Sequence, residues 1–201
     1  MSKIDTTKAA ALYNDRYDLY GNNLKTVGWG SSDDQILRFD VLFRGLNPKG
    51  KTILDVGCGL GDLIDYLDKV TGGDFSYIGV DIADKLIIAA KEKFSRPNVK
   101  FYAGDVFLDI LNPVDISVLS GALSFKTTGI EEYTYETMRR MFELSKEAAC
   151  LNFLSKYVDF EIEKNQHYSP EIIFSSAREF SKRVIIYHDY PLYEFTIQLL
   201  K

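Results

Sequence analysis

Three glycines stand in the segment Asp55-Val56-Gly57-Cys58-Gly59-Leu60-Gly61, where an apolar strand is predicted to turn into a helix. Glycine allows a sharp backbone turn and lets a ligand approach where a Cβ atom would intrude. Dinucleotide-binding loops space their glycines as G-x-G-x-x-G and place a pyrophosphate on the N-terminus of the following helix. Here the spacing is G-x-G-x-G, and Asp62 directly after the last glycine would repel a phosphate. The segment therefore favours a ligand without phosphate groups.

Two aspartates follow the next two predicted strands. Asp81 closes the strand predicted over residues 77–80, where a carboxylate can accept hydrogen bonds from ribose hydroxyl groups. Asp105 comes after the strand predicted over residues 99–103, where a carboxylate beside apolar residues would suit the exocyclic amine of an adenine. Either aspartate alone could cap a helix or lie in a solvated turn. Three such signals at successive strand-to-helix junctions argue against independent caps.

The elements that must position these residues alternate along the chain. Strands are predicted over residues 52–56, 77–80, 99–103, 115–119, 148–154, 184–187 and 193–200. Helices are predicted over residues 6–20, 32–46, 60–70, 83–94, 131–146 and 170–180, the second opened by a capping box of Ser32 and Gln35. This alternation predicts an α/β fold with a doubly wound, seven-stranded, mostly parallel sheet. The link between the last two strands is too short for a helical crossover, so the last strand is expected to be antiparallel.

Residues 51–201 resemble the class I S-adenosylmethionine-dependent methyltransferases, which have a Rossmann-like fold. The match covers the glycine-rich first motif at residues 55–61, the second motif at 77–82, the third at 104–106 and the fourth-strand segment at 115–121. A reversed final strand also agrees with this family. The resemblance implies that the chain uses S-adenosylmethionine as cofactor.

The resemblance also implies roles for individual residues. Gly57 and Gly59 would line the methionine moiety of the cofactor, Asp81 would hold the ribose hydroxyls, Asp105 would contact the adenine amine, and Ser120 would lie near the sulfonium. The whole set expected to bind the cofactor is Asp55, Gly57, Cys58, Gly59, Gly61, Asp81, Ile82, Asp105, Val106 and Ser120.

The segment after the fourth predicted strand bears on the methyl acceptor. Residues 120–125 lack the Asn/Asp-Pro-Pro-aromatic motif of enzymes that methylate amino groups in nucleic acids. Neither Cys58 nor Cys150 follows a proline, as the catalytic cysteine of cytosine-C5 enzymes does. By elimination, the sequence favours methyl transfer to an oxygen or nitrogen atom of a small molecule.

Ligands of open α/β sheets bind beyond the carboxyl ends of the strands, so the acceptor is expected near residues 120–128, 156–168 and 188–193. His167, His188 and Tyr190 are the candidate catalytic residues, because a histidine can accept a proton near neutral pH. Each histidine could instead be a surface or structural residue, and a dedicated base is not required.

Candidate substrate contacts are Trp29, Tyr20, Ser124 and Tyr190. Trp29 lies in a glycine-rich loop that could close over the ligands, and we expect the acceptor pocket between residues 21–31 and the 188–193 turn. Tyr20 belongs to a helical stripe with Tyr13 and Tyr17, which either faces the core or forms a lid over the substrate.

The 201 residues predict a single domain, in which residues 1–50 form a helical cap and residues 51–201 the cofactor-binding core. A formal net charge of −5 argues against a nucleic-acid partner. No apolar run reaches the ~20 residues of a membrane-spanning helix, and no signal peptide is evident. We therefore expect a cytoplasmic monomer or homodimer without a metal. Two alternatives stay open: an NAD(P)-dependent oxidoreductase and a non-catalytic S-adenosylmethionine-binding protein.

Overall fold

The computed structural model describes residues 6–28 and 30–201, and within these residues seven strands form one sheet. The strands are β1 (Thr52–Val56), β2 (Ser76–Asp81), β3 (Val99–Ala103), β4 (Val114–Ser120), β5 (Ser145–Leu154), β6 (Arg183–Tyr187) and β7 (Glu194–Leu200). The helices are α1 (Thr7–Tyr20), α2 (Ser32–Leu42), α3 (Leu63–Thr71), α4 (Asp84–Lys93), α5 (Ile130–Leu144) and α6 (Pro170–Phe180). The predicted α/β class is confirmed.

The strand order is β3-β2-β1-β4-β5-β7-β6. Neighbouring strands from β3 to β5 are parallel, whereas β7 is antiparallel to both β5 and β6. The prediction of a reversed last strand is therefore confirmed. Because β7 lies between β5 and β6, strand β6 is parallel to the rest and forms one edge of the sheet. After β3 the chain crosses back to β4 on the other side of β1, and the resulting switch point between β1 and β4 is where open α/β sheets bind ligands.

Both faces of the sheet are covered, as a doubly wound fold requires. On one face, strand residues such as Leu54 pack with Met138 of α5 and Ile173 of α6. On the other face, Ile53 and its neighbours pack with residues of α2, α3 and α4, including Phe39. The helical crossovers that cover these faces keep β1 to β5 parallel, so the carboxyl ends of these five strands meet at one edge of the sheet.

Helix α2 differs from its prediction at both ends. The N-cap is Ser31, whose hydroxyl accepts hydrogen bonds from the backbone nitrogens of Asp33 at 3.1 Å and Asp34 at 3.4 Å. The predicted capping box of Ser32 and Gln35 is therefore wrong, since Ser31 supplies the same kind of hydroxyl one residue earlier. The helix ends at Leu42 and belongs to the layer beneath β4, β5 and β7.

Candidate functional site

A cavity opens at the carboxyl ends of β1, β2, β3 and β4, where the three segments singled out in the sequence meet. Together with its mouth, which is open to solvent, the cavity takes in about 1130 Å³. The residues of the expected cofactor set that line it are Asp55, Gly57, Cys58, Gly59, Asp81, Ile82, Asp105 and Ser120. Gly61 and Val106 lie behind this lining, Gly61 against the rings of Phe94 and Phe101 and Val106 in the core.

The loop after β1 depends on its glycines. Gly57 has φ +74°, and a Cβ atom on it would lie 2.2 Å from the Cβ of Ala122. Gly59 has φ +53°, and its Cβ would lie 2.7 Å from a methyl group of Val27. Both conformations are left-handed, which favours glycine, and both positions leave no space for a side chain. The loop therefore presents bare backbone to the cavity and delays the start of α3 to Leu63, beyond the predicted residue 60.

Asp81 joins the end of β2 to the glycine loop. Its Oδ2 accepts a hydrogen bond from the backbone nitrogen of Gly59, and its Oδ1 accepts one from that of Ala83, each at 2.8 Å. Burial raises the pKa of the Asp81 carboxyl, and these two hydrogen bonds oppose that shift. Each carboxylate oxygen can accept further hydrogen bonds, so the group can also receive ligand hydroxyls.

Asp105 lies after β3 on the same side of the cavity. Its Oδ1 accepts from the backbone nitrogen of Phe107 at 2.9 Å, and its Oδ2 accepts from the hydroxyl of Tyr133 at 3.2 Å. Burial and the nearby charge of Asp105 raise the pKa of Tyr133, which therefore stays a hydrogen-bond donor. The carboxylate is thus fixed in place by α5 as well as by its own turn.

Asp55 is the most deeply buried carboxyl group of the site, with 3% of its surface exposed. Burial raises its pKa to about 7, although a hydrogen bond of 2.7 Å from the Tyr77 hydroxyl opposes the shift. Burial also raises the pKa of the Cys58 thiol well above its usual value. Cys58 is therefore a packing residue of the loop and not a reactive thiolate.

Ser120 ends β4 in the cavity wall, and its buried hydroxyl oxygen has no hydrogen-bond partner among the described residues. The next residue, Gly121, donates from its backbone nitrogen to Oδ1 of Asn152 at 2.7 Å. Asn152 in turn donates to Glu194 at 2.7 Å, and Glu194 forms a buried ion pair with Arg38. A polar network from α2, β5 and β7 therefore holds the end of β4.

Helix α1 forms a wall of the cavity that the sequence did not clearly predict. Thr6, Ala9 and Tyr13 line the cavity, although α1 itself has no fully buried residue. Its attachment to α4 is both apolar and polar. Tyr13 and Tyr17 pack against the cluster that contains Leu86 and Ala89 of α4, and Asn14 donates to Asp84 at 2.8 Å and accepts from the backbone nitrogen of Lys85 at 3.3 Å. The only sequence feature that pointed to this wall was the stripe of Tyr13, Tyr17 and Tyr20. Of these three side chains, only Tyr13 lines the cavity.

The remaining expected substrate contacts do not line the cavity. Tyr20 is 44% exposed at the end of α1. Ser124 is not among the lining residues, and its hydroxyl donates to the backbone oxygen of Gly121 at 2.8 Å. Trp29 lies outside the described residues, so its expected role is not addressed by the structure.

The expected catalytic residues also lie elsewhere. His167 is buried, with Nδ1 2.8 Å from the backbone oxygen of Ser155. His188 is exposed beside the ring of Tyr157, and Tyr190 is buried with its hydroxyl 3.0 Å from that of Thr196. Residues 188–193 do follow the carboxyl end of β6, but β4, β5 and β7 separate β6 from β1. The cavity therefore does not extend to the 188–193 turn, contrary to the expected placement of the acceptor pocket.

Two further properties concern the described residues only. They contain no group of three or more His, Cys, Asp or Glu side chains placed to hold a metal ion. None of their helices combines the length and apolar character needed to cross a membrane.

Comparisons with known proteins agree with this geometry. A family model described as a methyltransferase domain matches residues 53–145. The chain is 32% identical over 158 residues to Rv1506c of Mycobacterium tuberculosis, which carries the name of a candidate methyltransferase. That alignment covers 75% of this chain and 93% of Rv1506c.

Solved structures with the same fold act on different substrates. Magnesium protoporphyrin IX methyltransferase from Synechocystis PCC 6803, solved with bound SAH, has a TM-score of 0.70 and 19% identity, covering 98% of this chain and 100% of that chain. Mycolic acid cyclopropane synthase CmaA1, solved with SAH and CTAB, has a TM-score of 0.67 and 17% identity. The match covers 92% of this chain and 78% of that chain. At these identities the likeness shows the fold alone.

Proposed function

Because the chain belongs to the class I S-adenosylmethionine-dependent methyltransferases, we propose that its cavity binds S-adenosylmethionine for methyl transfer to an oxygen or nitrogen atom of a small molecule. The observation that carries this proposal is the meeting of Gly57, Asp81 and Asp105 in one cavity. Asp81 would hold the ribose hydroxyls and Asp105 the adenine amine. Gly57 and Gly59 would lie along the methionine moiety.

The side chains of the cavity fit this cofactor. The unpartnered hydroxyl of Ser120 can bond to the polar end of a methionine moiety, and the bare backbone of Gly57 lets a ligand approach closely. The described lining residues include four carboxyl groups, those of Asp55, Asp62, Asp81 and Asp105, and no lysine, arginine or histidine. Negative charge favours a sulfonium and disfavours the pyrophosphate of NAD(P). This charge pattern argues against the oxidoreductase alternative.

When bound, S-adenosylmethionine supplies a methyl group that its sulfonium already makes electrophilic. The residues of this chain would therefore act mainly by orienting the two reactants and excluding water, a contribution of up to ~7–11 kcal/mol. Ala9 and Tyr13 of α1 line the cavity and would serve this purpose. The carboxylates of Asp81 and Asp105 already accept hydrogen bonds from the chain, and no histidine lines the described cavity. The proposal accordingly includes no dedicated general base.

Isothermal titration calorimetry with S-adenosylmethionine and with NAD tests the choice of ligand. We expect binding of S-adenosylmethionine and no measurable binding of NAD. The reverse result would support the oxidoreductase. Radiolabelled methyl transfer to a panel of metabolites then tests catalysis: binding without transfer to any compound in the panel would support the non-catalytic alternative.

A further inference from the structure

One helix reaches the carboxylate that is proposed to bind the adenine amine. Tyr133 of α5 lines the cavity, and its hydroxyl donates to Oδ2 of Asp105 at 3.2 Å. The other carboxylate oxygen, Oδ1, accepts from the backbone nitrogen of Phe107 at 2.9 Å. Two donors from different segments thus bind different oxygens of one planar group, which restricts its rotation. Each oxygen keeps a further acceptor site for a ligand.

The Tyr133 side chain is itself held in place. Its ring contacts that of Phe107, with 5.9 Å between the ring centroids and 58° between the ring planes, and both rings pack against the hydrophobic core. Burial and the nearby charge of Asp105 raise the pKa of Tyr133, so its hydroxyl keeps its proton. The phenol therefore remains a donor to the carboxylate.

A carboxylate in a fixed orientation distinguishes between purine bases. At position 6, adenine carries an amine, which donates hydrogen bonds, whereas hypoxanthine carries a carbonyl oxygen, which only accepts them. A carboxylate can accept from the amine but has no hydrogen to donate to the carbonyl. A site that hydrogen-bonds one ligand rejects an analogue that leaves its polar group unpaired. This rejection requires a fixed carboxylate, because a group that can rotate would turn away from the carbonyl oxygen.

We propose that Tyr133 is a positioning residue that makes the cavity selective for 6-aminopurine over 6-oxopurine ligands by holding the carboxylate of Asp105. The inference rests on the proposed function, since it concerns the base of the same cofactor. It goes beyond the motifs at residues 55–61, 77–82, 104–106 and 115–121, because Tyr133 belongs to none of them. Selectivity for the base is thereby assigned to α5 as well as to the loop after β3.

A ligand and its deaminated analogue test the selectivity. S-Adenosylhomocysteine carries the amine at position 6 of the base, and S-inosylhomocysteine carries the carbonyl. Calorimetry measures the affinity of the full chain for each of them. We expect the wild-type protein to bind S-adenosylhomocysteine at least about tenfold more tightly, since the analogue loses a hydrogen bond to a charged group.

Tyr133→Phe removes the hydroxyl and keeps the ring. We expect it to lower the ratio of the two affinities about three- to tenfold, mainly through weaker binding of S-adenosylhomocysteine. Tyr135→Phe is the matched control. Tyr135 lies on the same helix and also donates to a carboxylate, that of Glu179 at 2.8 Å, but it is outside the cavity lining. The control should leave the ratio unchanged, and thermal unfolding checks that both variants fold.

A double-mutant cycle tests whether Tyr133 acts through Asp105. Asp105→Asn replaces one acceptor oxygen with an amide nitrogen that can donate to the carbonyl, so the two affinities should lie within about threefold of each other. Adding Tyr133→Phe to Asp105→Asn is expected to change their ratio no further. A merely structural hydroxyl would instead change both affinities by the same factor and leave the ratio unaffected in either background.

Equal affinity of the wild-type protein for the two ligands would overturn the selectivity. An unchanged ratio in Tyr133→Phe would overturn the positioning role. Tighter binding of S-adenosylhomocysteine by this variant would do the same, because the hydroxyl would then compete with the amine. An equal loss of selectivity with and without Asp105→Asn would show that Tyr133 does not act through Asp105. Failure of S-adenosylhomocysteine to bind the wild-type protein would instead contradict the proposed function, so the two failures are distinguishable.

Discussion

The carboxylate of Asp81 accepts a hydrogen bond from the backbone nitrogen of Gly59 at 2.8 Å. An acid at the end of β2 thereby holds the loop that follows β1, and the two neighbouring strands share one polar contact at the cavity. This relationship gives Asp81 two tasks, since the group proposed to bind the ribose also positions the glycine loop.

Asp81→Ala is expected to weaken S-adenosylmethionine binding at least about tenfold. Removing a hydrogen-bonded carboxylate costs about 1.5–3 kcal/mol, and about 1.4 kcal/mol corresponds to a factor of ten. Calorimetry measures the affinity, and urea unfolding measures stability. Asp115→Ala is the control, because Asp115 likewise accepts from a backbone nitrogen, that of Thr52 at 2.7 Å, but lies outside the cavity lining. An equal loss of affinity in both variants would show that Asp81 acts through general stability.

Gly57→Ala is expected to abolish tight cofactor binding, because the added Cβ would lie 2.2 Å from that of Ala122. Gly72→Ala provides the comparison. Gly72 has a similar φ of +69°, but a Cβ there would meet no atom within 4 Å. Both variants are strained by about 1–2 kcal/mol through the left-handed backbone, whereas only Gly57→Ala adds a steric clash in the cavity. If calorimetry finds the same affinity in both variants, the ligand does not approach the Gly57 backbone.

The buried Asp55 predicts a pH dependence of stability. Its pKa in the folded protein is about 7, above the ordinary value of 3.8. Between these two pH values the unfolded chain has lost the proton that the folded protein retains, so this group makes stability fall as pH rises. The decrease from about pH 4 to pH 7 amounts to at most ~4 kcal/mol and levels off above pH 7. Denaturant unfolding without cofactor measures it.

Asp55→Asn should remove this contribution, because the amide does not titrate in that range and its oxygen can still accept from Tyr77. Relative to the wild type, the variant is expected to gain stability as pH rises from about 4 to 7. A stability difference between the two proteins that stays constant across this pH range would show that Asp55 does not retain its proton on folding.

Removing one partner of the buried Arg38–Glu194 ion pair is expected to reduce the free energy of unfolding strongly. Burial lowers the pKa of Arg38 and raises that of Glu194, so each charge depends on the other. Arg38→Met would leave Glu194 uncompensated and is expected to cost about 3–5 kcal/mol of unfolding free energy. Arg44→Met is the comparison, because its partner Asp189 is 66% exposed and such pairs contribute about 0–1 kcal/mol. Similar losses in urea unfolding would mean that burial does not distinguish the pairs.

Local patterns in the sequence were sufficient to predict the parallel core and the segments that meet at the cavity. The glycine loop, Asp81 and Asp105 each lie at the carboxyl end of a strand. Parallel strands bring these ends to one edge of the sheet. The position of β7 between β5 and β6 could not be read in this way, because strand order depends on which edges pair after the chain has folded. For the same reason His188 and Tyr190 were expected near the cavity, although their strand lies at the far edge.

The role of α1 was also beyond the local pattern. Tyr13, Tyr17 and Tyr20 repeat at helical spacing, but the repeat does not state which surface the helix meets. That surface is α4, against which Tyr13 and Tyr17 pack and to which Asn14 adds polar contacts. The N-cap of α2 could not be predicted from the local sequence either. Ser31 and Ser32 are adjacent and equivalent N-cap candidates, and only the backbone conformation of the folded loop selects Ser31.

The place of β7 has a consequence for synthesis on the ribosome. Strand β6 leaves the ribosome before β7, yet β7 is its only neighbour among the described strands of the sheet. Until β7 emerges, β5 has an unpaired edge of exposed backbone groups, which is the kind of edge that recruits strands from other chains. The antiparallel β6 and β7 are joined by the short 188–193 turn, so they can form a hairpin and close that edge together. A growing chain halted within residues 188–193 would therefore be prone to aggregation although every proposed cofactor contact had already been made.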